Sequence, residues 1–446
     1  MPDGNDLTVP QAVIEETCGE TPLPKFGTIE QVWETDPIPA SDIATRAAET
    51  VRNLPFEGVP EGGTVALGVG SRGIANLPNV VRGVVDGVRD MGYEPFIVPA
   101  MGSHGGATAD GQRENLASLG VSADTVGCEV RASMDVATVG TTPKRGVPLY
   151  FDAIAADADA IVPINRIKPH TDFDGSVESG LSKMIVIGLG KQRGAKTAHD
   201  WAVDWSFRNM IPEITEQLLE ALPIIGGVAI VEDQHDDTGL LEAIPPSGFL
   251  DRERELLETA YDVMPKIPFE SVDTLVIDRQ GKDVSGQGID TNVIGRRPFA
   301  INEPAPDSPE IKRIYVRSLT ETTKGNAMGM GSADFVHRDF FEEIDASKSL
   351  INAITASTTR GVRVPPVVET DRAGLLASLS TIGVVEPESV RVLRVTDTMR
   401  LKRLYASEAL VEEARDRDDL RVIREPKPVQ FEDRQFASPS PDSHHE

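Results

Sequence analysis

Hydrophobic and polar positions along this chain follow two alternating rhythms. TVALGVG, Thr64–Gly70, is a short apolar run ending in glycine, the pattern of a buried strand. LPNVVRGVVDGVRDMG then places Val80, Val81, Val84, Val85 and Val88 at helical spacing and stops at Gly92, a helix C-cap. EPFIVPA reads as the next strand. ATADGQRENLASLG reads as the next helix, with Thr108 as N-cap and Gly120 as its stop. Strand, helix, strand and helix in this order predict a parallel α/β sheet.

The rhythm continues with a strand in DADAIVPIN, Asp157–Asn165, and a further apolar run, MIVIGLG, Met184–Gly190. Helices are expected over Lys196–Asn209 and Ile211–Leu222, and a strand over Ile224–Glu232. A break falls near Tyr261–Glu270, where Pro265 and Pro268 bracket a turn. A second α/β unit opens with VDTLVID, Val272–Asp278, followed by the glycine-rich block RQGKDVSGQGIDTNVIGRR. It continues with a strand at Lys312–Ser318, helices near Asp339–Thr355 and Arg372–Ile382, and a strand at Arg391–Thr396. The fold class predicted is two α/β domains with mainly parallel sheets. The organisation predicted is a Pro- and acid-rich wrapping segment over 1–60, an α/β domain over 61–265, a second over 270–424, and a disordered tail over 425–446. No internal repeat is visible.

Composition narrows the function classes. The chain of 446 residues, 39% hydrophobic and 26% charged, has the make-up of a globular protein with sizeable cores. No apolar run approaches the roughly 20 residues needed to span a bilayer. MPDGNDLTVPQ has no basic region followed by an apolar stretch, so a cytoplasmic location is the expectation. With 71 acidic and 44 basic residues the net charge is −27, which disfavours nucleic acid and anionic membranes as partners. The acidic residues are dispersed and Arg outnumbers Lys, a pattern of adaptation to high salt (a halophilic surface). Cys18 and Cys128 lie far apart without CxxC context and read as small apolar residues.

The candidate chemistry sits at strand ends. In AMGSHGGATADGQ, His104 occupies a glycine-rich loop between a predicted strand and helix, a position from which an imidazole can exchange protons with a ligand. A loop-stabilising histidine fits the same pattern. His170 follows Pro169 and precedes Asp172 and Asp174, which suits an exposed turn or a metal-ligand set. Lys183 begins an apolar run, where a lysine becomes a nucleophile or attachment point, or snorkels from a strand edge. His199, at a predicted helix start, is a ligand or a capping residue. Arg72, after GVGS, suits a carboxylate clamp or a structural ion pair. In open α/β sheets ligands bind beyond the C-terminal strand ends, so Arg72, His104 and His170 are expected to converge at one edge. GVGSRG does not match GxGxxG and no GxxxxGK[ST] loop exists, which leaves a nucleotide-loop reading without support. His235 and His337 read as loop or helix-surface residues, and His444 and His445 lie in the tail.

Taken in order, these residues resemble the lactate racemase family, whose members use a nickel-pincer nucleotide. Arg72 after a strand, AMGSHGGAT with His104, KPH with His170, then Lys183, then His199 follow the family's sequence of motifs, and the Lys183-to-His199 interval agrees with it. The resemblance covers most of residues 60–400, strongest over Gly68–Ala109 and Ile161–Asp200. It implies two α/β domains with the active site in a cleft between them. It implies racemisation or epimerisation of a 2-hydroxy acid by reversible hydride transfer, with His104 and His170 as the acid/base pair. It further implies covalent cofactor attachment at Lys183, nickel ligation by His199, carboxylate binding by Arg72, and the cofactor-biosynthesis enzymes as partners. Lys282, in QGKDVSG, is expected as a further substrate-contacting cation. Two departures stand out: Val69 replaces the family's aspartate ahead of the arginine, and TDFDGSVESGLSK between His170 and Lys183 is longer than the family's segment.

Two other readings remain open on the residues alone. One is a divalent-metal hydrolase or lyase built on His170, Asp172, Asp174 and His199. The other is a non-enzymatic hydroxy-acid-binding relative that kept the fold without the cofactor.

Overall fold

The computed structural model describes residues 7–19, 21–71, 73–298, 303–384 and 386–437. It divides into two compact units, Thr35–Met264 and the combination of Met1–Glu34 with Pro265–Glu446. Among the described residues no helix is long and apolar enough to cross a membrane.

The unit Thr35–Met264 is built on a five-stranded sheet. Its strands lie in the order Glu94–Pro99, Thr64–Val69, Ala160–Arg166, Gly227–Glu232, Thr238–Ile244. The first four are parallel, and the last pairs antiparallel. Side chains alternate across the sheet as a two-residue repeat requires. Val65, Leu67, Val69, Val162, Ile164, Val228 and Ile230 join one core with the helices Ile43–Val51 and Leu77–Asp90. Ala66, Phe96, Val98, Ile161, Ala229 and Val231 join the other, against the helices Lys191–Trp205, Phe207–Ala221 and Phe249–Val263. The result is a three-layer, doubly wound α/β unit.

This strand order has one reversal. Thr64–Val69 is followed in sequence by its neighbour on one side, and the chain then crosses to Ala160–Arg166 on the other. The two crossovers leave in opposite directions, and in open α/β sheets the carboxyl ends of such a strand pair are where ligands bind. Ser71, His104 and His170 all follow strands that end at this edge.

The apolar run after Lys183 is helical. Leu181–Lys183 is a short α-helical turn that continues as a π-helix over Met184–Gly188, whose Met184, Ile185, Val186 and Gly188 are buried. Lys183 is therefore a helix residue and does not snorkel from a strand edge.

The other unit carries a nine-stranded sheet. Its order is Thr8–Val9, Val367–Val368, Phe335–His337, Glu310–Leu319, Ser271–Gln280, Val392–Val395, Arg403–Ser407, Lys25–Gln31, Leu420–Pro428. The first six strands are parallel and the last three add antiparallel. This corrects the expected wrapping segment over 1–60. Lys25–Gln31 is a strand between two C-terminal strands, with Ile29 fully buried. It corrects the expected disordered tail as well. Within 425–446, the described part continues the strand Leu420–Pro428 and forms the pair Phe431–Glu432 and Gln435–Phe436. Phe436 is buried there because its ring packs over the Arg394 guanidinium, and its amide donates to the buried Asp371 carboxylate.

Candidate functional site

Three of the residues singled out in the sequence meet in the Thr35–Met264 unit. The Lys183 amine nitrogen contacts His170 Nε2. The His170 ring stacks on Phe173 with centroids 4.6 Å apart, Phe173 packs against Phe207 at 5.5 Å, and His199 meets Phe207 edge-on at 5.2 Å. Phe173 and Phe207 form a short aromatic spine with an imidazole at each end.

The tautomer of His170 follows from its partners. Nδ1 accepts a hydrogen bond from the Asp172 backbone N–H at 3.0 Å, so it carries no proton. In its neutral form the imidazole then carries its one proton on Nε2, the nitrogen that faces Lys183. At the other end of the spine, burial pushes the His199 imidazole below its usual range, and any charge on Lys183 acts in the same direction. His199 is thus held as a neutral nitrogen donor.

His104 stands at the neighbouring strand end. Its Nδ1 pairs with the Ser71 hydroxyl. The loop is tied to the π-helix after Lys183 by a hydrogen bond from Gly102 N–H to Gly188 O at 3.0 Å. Thr108 caps the following helix, its side chain accepting from Gly111 N–H at 3.1 Å. Gly105 has φ +66°, and a Cβ on Gly111 would lie 2.0 Å from the Gly105 carbonyl oxygen. These two glycines let the loop close on its own helix.

The remaining predictions fall elsewhere. Arg72 lies outside the described residues, as do His444 and His445. Lys282 belongs to the other unit, where its amine donates to the Gly286 carbonyl of its own loop and its N–H to Thr323 Oγ1 at 3.2 Å. Asp172 meets His170 through its backbone. His235 N–H donates to Asp233, and the buried His337 caps the helix Arg338–Glu342. Among the described residues no three His, Cys, Asp or Glu side chains converge in a group that could hold a metal ion. His170, Asp172, Asp174 and His199, the residues of the divalent-metal alternative, form no such group.

Sequence reasoning missed the buried polar groups that hold the site. Glu178 accepts the His170 N–H at 2.6 Å, the Gly175 N–H at 3.0 Å and the Tyr261 hydroxyl at 3.1 Å, which pins the longer segment that follows His170. Glu253 accepts both Ser182 donors at the turn that presents Lys183, so close to Gly180 that a Cβ there would lie 2.1 Å from its Oε1. A signal for Glu253 was present. It shares the apolar stripe of its helix with Phe249, Leu256, Leu257 and Ala260, where a carboxylate is out of place.

Burial raises both carboxyls to about 7, from an ordinary value of 4.5. The folded protein thus keeps protons that the unfolded chain has already released. The resulting stabilisation is complete below the unfolded value and is lost as pH rises through about 7. Glu253→Gln removes one of these groups. Urea unfolding at a series of pH values from 4.5 to 7.5 is expected to show a shallower fall in stability for the variant than for the parent. Parallel curves would contradict the assignment.

Comparison with known proteins gives distant structural likeness. No family model matches the chain, and no curated protein does. A crystal structure of a Thermotoga maritima protein superposes with 14% identity and a TM-score of 0.45, covering 82% of this chain and 90% of that one. The lactate racemase apoprotein from Thermoanaerobacterium thermosaccharolyticum superposes with 14% identity and a TM-score of 0.44, covering 82% of this chain and 83% of that one.

Proposed function

We propose that this protein is a racemase or epimerase of a 2-hydroxy acid that carries a nickel-pincer nucleotide on Lys183. The observation that carries the reading is the juxtaposition of Lys183, His170 and a His199 held below its usual pKa around one aromatic spine. The order of motifs from Arg72 to His199 supports it.

The donor set suits such a cofactor. Among the described residues no carboxylates or thiolates converge with His199 in a group of three, and a single imidazole does not suffice to hold a bare divalent ion. It suits a metal that arrives within an organic ligand, and a lysine amine nearby suits covalent tethering of that ligand. Lys183 would hold the organic part and His199 the nickel. When bound, the group supplies a hydride acceptor for substrate C2.

The protein's own residues handle protons and orientation. His170 and His104 are each engaged through Nδ1, by the Asp172 N–H and the Ser71 hydroxyl, and the reading assigns proton exchange with substrate to Nε2, which in His170 is the nitrogen that meets Lys183. Interconverting two hands at one carbon calls for an acid/base group for each face, and two histidines on adjacent strand ends supply them. Arg72, next to Ser71 in sequence, is the proposed carboxylate clamp.

Chiral analysis of a panel of 2-hydroxy acids, incubated with cofactor-loaded protein, tests the reading. One enantiomer or epimer is expected to convert to a mixture. His104→Ala and His170→Ala are each expected to slow it by about 10²- to 10⁴-fold. Retention of full rate by both variants would remove the histidines from the mechanism.

A further inference from the structure

We propose that Glu178 is a positioning residue, a carboxyl that clamps the backbone of His170 and loosens its hold on taking up a proton. The catalytic consequence rests on the function proposed above; the clamp does not.

The segment that carries His170 leaves the sheet and closes on itself. Lys168 N–H donates to the Ser179 carbonyl at 2.8 Å, and Ser179 N–H donates back to the Lys168 carbonyl at 3.2 Å. Within this loop Glu178 is buried, 2% exposed. Its Oε2 accepts the His170 N–H at 2.6 Å, and its Oε1 accepts the Gly175 N–H at 3.0 Å. Both donors are backbone groups, which cannot reverse their role. Tyr261, on the helix Phe249–Val263, sets its hydroxyl 3.1 Å from Oε1 and 3.3 Å from Oε2. His170 in turn meets the Lys183 nitrogen, so the placement of its backbone bears on that pair.

One N–H on each oxygen is an arrangement that suits a carboxylate. Ionised, Glu178 accepts both in charge-assisted bonds. Protonated, it turns one oxygen into a hydroxyl, a weaker acceptor for the N–H it holds. The titratable groups around it are His170 and Asp174 on its own segment and Tyr261 on the helix. Burial opposes the charge and outweighs the N–H bonds, so the carboxyl titrates at about 7; Asp174 pushes the same way, and Tyr261 opposes. Ionisation costs the fold stability because the group is buried, yet it tightens the two bonds that hold the turn. The clamp is tight above about 7 and slack below it.

Amide proton shifts of the cofactor-free protein read the clamp directly, because an N–H bonded to a carboxyl shifts as that carboxyl ionises. In ¹⁵N-labelled parent protein, the His170 and Gly175 amide signals are expected to titrate together with a midpoint of about 7. Glu178→Gln should remove both titrations. Glu253→Gln should leave both in place, although it removes the other buried carboxyl of that range. A Gly175 signal that stays flat through this range in the parent overturns the proposal, whether or not the variants fold. So does a Gly175 titration that survives in Glu178→Gln. In the cofactor-loaded protein, Glu178→Gln should lower kcat by about 10- to 100-fold, with KM within a few-fold of the parent. Its pH profile should lack the inflection that Glu178 gives the parent at about 7. A parent-like kcat and profile would overturn the positioning role. Amide titrations without any hydroxy-acid interconversion would refute the proposed function and leave the clamp standing.

Discussion

Lys191→Met is expected to destabilise the Thr35–Met264 unit by roughly 3–5 kcal/mol, the scale for breaking a buried ion pair by removing one partner. Lys191 and Asp152 are both fully buried, with Nζ 2.9 Å from Asp152 Oδ2. Burial lowers the lysine pKa, and the contact with Asp152 opposes that shift. Methionine removes the ammonium and strands the carboxylate without water. It also deprives the Pro99 carbonyl and Gln112 Oε1 of their donor, which loosens the loop bearing His104. Urea unfolding measures the loss. The double variant Lys191→Met with Asp152→Leu should recover much of it, because the uncompensated charge is gone. A single variant within about 1 kcal/mol of the parent would contradict this account.

The second large effect is chemical. Lys183→Ala should abolish covalent attachment of the cofactor and reduce turnover to background. Lys183→Arg should do the same, because a guanidinium stays protonated and is no nucleophile at neutral pH. His199→Ala separates the two halves of the site, since the organic adduct on Lys183 should survive while bound nickel falls. Intact mass and nickel content, measured on all three variants beside the parent, distinguish these outcomes. An adduct that persists in Lys183→Ala would place the attachment elsewhere.

Much of the fold was legible because its elements are regular. Valines at helical spacing mark Leu77–Asp90, and the Thr108 cap marks the helix Ala109–Ser118. The π-helix over Met184–Gly188 was not legible, since a short apolar run reads alike as a buried strand or a buried helix. Nor was the placement of Lys25–Gln31. Its partners, Arg403–Ser407 and Leu420–Pro428, lie at the far end of the chain, and no local pattern encodes so distant a pairing.

The site divides in the same way. His104, His170, Lys183 and His199 stand in motifs with unusual neighbours, so they drew attention from sequence. Ser71, Gln112, Glu178 and Lys191 are ordinary polar residues, and only burial and partners reveal their work. The segment between His170 and Lys183 looked too long for its task. Glu178, holding His170 N–H and Gly175 N–H, takes up its length.

The central claim is that Lys183 and His199 hold a nickel-bearing organic cofactor. Intact-protein mass spectrometry with nickel quantification, after expression alongside the cofactor-making enzymes, tests it most directly. The account predicts an added mass localised to Lys183, with nickel in proportion to it. An unmodified chain without nickel, recovered under conditions that load a lactate racemase, would contradict it.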